Sequence, residues 1–73
     1  MNYKGKMVIR IAQIQSLLTA LKVKADSFRD TFGRDLLTLS QINGFEKEVK
    51  ETYKSVLQRI LELKEIEREN LNL

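Results

Sequence analysis

Apolar residues in the first half of this sequence recur at helical steps. Met7, Ile11, Ile14, Leu18, Leu21, Ala25, Phe28 and Phe32 follow one another at intervals of 4, 3, 4, 3, 4, 3 and 4. A helix of 3.6 residues per turn gathers such positions into one stripe, whereas the period of two in a strand scatters them over both faces. An unbroken heptad seam of this length belongs to a helix that packs lengthwise against other helices. Val8 and Leu17 flank the seam and widen it.

A second stripe starts at Phe45 and runs through Val49, Tyr53, Val56, Ile60 and Leu63, broadened by Leu57 and Ile66. Between the stripes, Leu36 and Leu39 carry on beyond Gly33, displaced by one residue from the earlier register. A glycine inside a helix costs only about 1 kcal/mol relative to alanine, so a long helix tolerates one. Asn43-Gly44 is the stronger punctuation: Asn-Gly suits a turn, and Asn43 with Glu46 has the spacing of a capping box. The sequence therefore predicts a single all-α domain over residues 1–73. It is an antiparallel helical hairpin with a long helix over about 6–41, a turn at Asn43-Gly44 and a helix over about 45–70. Folding back at that turn makes the arms unequal. Residues before about Ser16 overhang, and Met7, Val8, Ile9, Ile11 and Ile14 find no cover within the chain. Two helices cannot bury two broad stripes, so a bundle with a second copy or a partner is expected.

Size and composition point the same way. A chain of 73 residues buries only about 60% of its unfolded surface. Small domains offset that shortfall with disulfides, a metal or association. With no Cys and no His, disulfides and nearly all transition-metal sites are excluded, which leaves association. The net charge of +3 is divided unevenly: residues 1–34 hold seven bases against two acids, and residues 35–73 hold six bases against eight acids. Halves of opposite sign favour folding back on one another. No apolar run reaches the roughly 18 residues of a membrane span. Arg10, Gln13 and Gln15 interrupt what would be a signal-peptide core, so the expected location is the cytoplasm, with non-Sec export as an option.

Catalytic chemistry is poorly supplied. Glu62, Glu65 and Glu69 share a helix face, but helical-bundle metal sites pair glutamate with a histidine this chain lacks. A solvated face beside Lys64 and Arg68 explains them. No cofactor, metal or catalytic residue is expected. Nucleic acid is the main rival partner, because Arg10, Lys22, Lys24 and Arg29 form a basic stripe on the first helix. Asp26 and Asp30 interrupt that stripe, and Glu46, Glu48 and Glu51 would bring a second, reading helix into the groove acid-first. A basic amphipathic segment over 4–24 could lie on a membrane surface, though a heptad stripe suits a helix partner better.

The layout resembles the Trp-X-Gly hairpins of type VII secretion and their companions. Ile42-Asn43-Gly44 stands where that family has its turn, with Ile in place of Trp, and Tyr53 is followed four residues later by Leu57 rather than by the family's acid. The resemblance implies paired hairpins and secretion-associated partners. In size and seam the chain is also similar to small type III secretion co-chaperones and to helical phage and plasmid regulators. The expected function is a non-enzymatic helix–helix interaction module, an adaptor, co-chaperone or assembly protein. Its partner-binding residues would be Met7, Ile11, Ile14, Leu18, Leu21, Phe28 and Phe32 on one arm and Val49, Tyr53, Val56, Ile60 and Leu63 on the other. A small basic dimeric nucleic-acid regulator, or a type VII secretion-like hairpin, is the alternative.

Overall fold

The computed structural model describes residues 3–72, and within them the chain forms two helices. Helix α1 runs Tyr3–Arg34 and helix α2 runs Leu39–Leu71, packed side by side as an antiparallel hairpin. The all-α hairpin expected from the seams is thus the fold. Its turn, however, lies at Asp35–Thr38 and not at Asn43-Gly44.

Local chemistry accounts for the difference. Helix α1 closes with the Asp35 amide donating to the Thr31 carbonyl at 2.8 Å. Thr38 then leaves the helical region at φ −86°, ψ 158° and caps α2. Its hydroxyl accepts from the Gln41 amide at 3.1 Å, while the Gln41 side-chain oxygen accepts from the Thr38 amide at 2.7 Å. This reciprocal box satisfies two donors that a helix start otherwise leaves orphaned. Asn43 and Gly44 lie within α2, and no described residue has positive φ. Asn-Gly therefore supplies no turn, and Glu46 supplies no cap. The segment that carried the Trp-X-Gly likeness is plain helix.

Moving the turn forward equalises the arms, at 32 and 33 residues. The unpartnered overhang expected before Ser16 does not exist: Arg10 pairs with Glu62, and Lys6, Ile9 and Arg10 border the same groove as Ile66. A residue of α1 lies level with the residue of α2 that brings their numbers to a sum near 72 or 73, as Arg10 with Glu62, Lys24 with Glu48 and Phe28 with Phe45.

The hairpin is long and thin. Its Cα extents are 57 × 16 × 13 Å and its radius of gyration is 16.9 Å, against about 11 Å for a compact domain of this length. Ile66, 8% exposed, is the one buried apolar residue among those described. The chain exposes 5929 Å², where a globular monomer of 8.5 kDa exposes about 4,700 Å².

The turn placement has a direct test in urea unfolding. A Cβ at Gly44 meets nothing within 4 Å, so Gly44→Ala should stabilise the protein by about 0.5–1 kcal/mol, the helix-propensity gain. Were Asn43-Gly44 a positive-φ turn, the same change would destabilise. Thr38→Ala should cost about 1 kcal/mol through loss of the cap.

Candidate interaction face

The two helices touch along a line that differs from the apolar seams. On α1 the contact line runs through Tyr3, Met7, Arg10, Ile14, Leu17, Leu21, Lys24, Phe28 and Thr31, again at steps of 3 and 4. All but Lys24 are half-buried, and Lys24 reaches across to Glu48. On α2 it runs through Phe45, Glu48, Thr52, Ser55, Arg59, Glu62 and Ile66. Five of those seven α2 side chains are polar, so apolar side chains of α1 meet a mostly polar row of α2 and specific pairs join the two.

Phe28 and Phe45 stack at 4.5 Å between ring centroids, close to the turn. Lys24 Nζ lies 3.1 Å from a Glu48 oxygen. Toward the open end, Arg10 Nε donates to Glu62 at 2.6 Å, and Arg59 approaches the second Glu62 oxygen at 3.5 Å. One carboxylate thus bridges two guanidinium groups, while Arg59 Nε is buried with no hydrogen-bond partner. A polar layer of this kind fixes register better than it adds stability.

The predicted seam residues fall into two groups. Met7, Ile14, Leu21 and Phe28 of α1, with Val56 and Leu63 of α2, are half-buried beside the contact line. Ile11, Leu18, Phe32, Val49, Tyr53 and Ile60 are exposed, with Leu18 at 51%, Phe32 at 64% and Tyr53 at 66%. In a heptad helix, successive rows stand about 50° apart around the axis. The row Ile11, Leu18, Ala25, Phe32 is one such step beyond the half-buried row Met7, Ile14, Leu21, Phe28, turning in the positive sense. On α2 the row Ile42, Val49, Val56, Leu63 is likewise one positive step beyond Phe45, Thr52, Arg59 and Ile66. Two right-handed helices running antiparallel carry equal positive rotations to the same side of their common plane. Both apolar rows therefore lie on one broad face of the hairpin.

The opposite face is of different make. Grooves there are bordered by Gln13, Ser16, Ala20 and Ser27 of α1 and by Gln41, Ser55 and Glu65 of α2, mostly small or polar side chains. Ile9 and Val23 of α1 and Leu61 of α2 are its exposed apolar exceptions.

The basic stripe of α1 is tied to carboxylates. Lys22 Nζ donates to Asp26 at 3.0 Å, and that hydrogen bond and charge hold the Asp26 carboxyl below its ordinary value. Arg29 lies within 3.8 Å of Asp26 and 3.7 Å of Asp30. Among the described residues no group of three or more acids is placed to hold a metal ion, and no helix is long and apolar enough to cross a membrane. Set against known proteins, the chain matches no family model, no curated protein and no solved structure.

Sequence pattern had marked the apolar rows but missed the charged contacts Arg10–Glu62 and Lys24–Glu48. Their signal was present only as charges interrupting a heptad line. Glu62→Ala should lower stability by about 1–2 kcal/mol in urea unfolding, because it strands Arg10 and leaves Arg59 without a carboxylate. Glu65→Ala, whose contact with Arg68 is an exposed 3.7 Å pair, should change it by less than about 0.5 kcal/mol.

Proposed function

We propose that this chain is a non-enzymatic helix–helix interaction module that works by burying one apolar face against other helices, in the manner of an adaptor, co-chaperone or assembly protein. The observation that carries this reading is that the apolar rows of both arms share a side of the hairpin and include exposed residues there, while the contact between the arms is largely polar on its α2 side. A contiguous apolar face on so small a chain marks a docking surface. Covering a Leu or Ile fully is worth about 1.5–3 kcal/mol, so five or six such residues supply ample drive for association. The exposed aromatics Phe32 and Tyr53 are the kind of side chain that anchors such interfaces.

A catalytic role finds little in the residue inventory, since neither His nor Cys is present and the carboxylates stand in ion pairs or at least partly open to solvent. A nucleic-acid role would draw on Lys22, Lys24 and Arg29, each of which already faces an acid of this chain. Phosphate would compete there with acids already in place.

Ile11→Asp places a charge on the open face, away from the contact between the arms. It should abolish co-purification with helical partners or copies of the chain while circular dichroism at matched concentration retains most of the helicity. Gln13→Asp, on the opposite face, should leave association intact. Equal loss of association in both variants, or retention on DNA that falls with salt and with neutralisation of Lys22, Lys24 and Arg29, would contradict the proposal.

A further inference from the structure

Resting on the interaction-module function above, we infer that the open face is covered by a second copy of this chain, the two hairpins forming a four-helix bundle. Three features of the hairpin select that occupant over a single helix or a lipid surface.

The first is the direction of the seams. In α1 the heptad line Met7–Phe32 is made of one row beside α2 and one row a step further round. Its centre thus points about 50° away from α2, and the matching line Ile42 to Ile66 in α2 is aimed in the same way. A square bundle asks this of each helix, since its core lies diagonally between two neighbours. One added helix would leave half of that centre line open.

The second is dimension. The face is two helices wide and 57 Å by 16 Å in Cα extent, about 900 Å² in projection, close to the roughly 800 Å² each partner contributes to a stable interface. A second hairpin with arms of 32 and 33 residues matches it in length and width.

The third is charge. The outer edge of the face on α1 is the heptad row Val8, Gln15, Lys22, Arg29, whose two bases face Asp26 and Asp30 within the chain yet leave 77% and 74% of their side chains exposed to a further acid. On α2 it is Glu46, Tyr53, Ile60, Glu67, with acids and no base. A two-fold axis parallel to the long axis lays the basic edge of each copy along the acidic edge of the other. Since Phe28 is level with Phe45, that axis puts Arg29 beside Glu46 of the other copy. An anionic lipid surface would instead meet Glu46 and Glu67.

Sedimentation of the purified chain across a roughly hundredfold concentration range should give twice the 8.5 kDa chain mass. Leu18→Asp combined with Ile60→Asp should weaken dimerisation at least tenfold. Because the chain has no cysteine, R29C and E46C made separately and mixed under oxidising conditions should form the mixed disulfide in preference to either like pair. Both positions sit at the edge of the face, so neither change disturbs a packed side chain. A monomer at every concentration overturns the inference. If that monomer binds a hydrophobic dye, the interaction-module function survives without the second copy. If it melts cooperatively and binds no dye, both fail. A dimer that cross-links only like pairs overturns the arrangement.

Discussion

Two helices offer each other one line of contact, and in this protein that line is mostly polar on the α2 side. Everything else about the molecule follows from that shortage of cover. Ile66 is the one buried apolar residue among those described, and Met7, Ile14, Leu17, Leu21, Phe28, Phe45, Val56 and Leu63 are only half-buried, while ordering each residue costs about 1–2 kcal/mol of backbone entropy. Helix propensity does not close that gap, because helical stability in proteins comes mainly from packing an apolar face. On the proposed reading, cover for the exposed apolar rows of the open face supplies the rest of the free energy that holds these helices.

Specific contacts between the arms set alignment. The Phe28–Phe45 stack and the Lys24–Glu48 pair fix the end near the turn, and the Arg10–Glu62–Arg59 layer fixes the open end. With both ends in register, neither arm can slide by a heptad without stranding a charge beside apolar neighbours. The seams of both helices are thereby held on one side, and register becomes the precondition for a continuous face.

Much of this was legible in the amino-acid sequence. The spacing of Met7 through Phe32 and of Val49 through Leu63 identified both helices and grouped their apolar residues into rows. The turn was misplaced because Asn43-Gly44 is a conspicuous turn pair, whereas Thr38-Leu39-Ser40-Gln41 is a capping box of modest appearance. The one-residue slip between Phe32 and Leu36 was the true mark of the break, since an apolar register that jumps without a stutter in the helix signals a change of element. Misplacing the turn produced the supposed overhang, and correcting it moves the uncovered surface from one end of α1 to the whole length of the hairpin. The direction of the seams relative to the neighbouring helix was not legible, because periodicity groups residues into a stripe without saying what that stripe faces.

Stability supplied across an intermolecular face must depend on how much protein is present. The most direct measurement is therefore the melting temperature of the purified chain, followed by circular dichroism at 222 nm, as its concentration is raised about a hundredfold. The account predicts a melting temperature that climbs steadily with concentration. A melting temperature that stays fixed, with full helicity throughout, would contradict it.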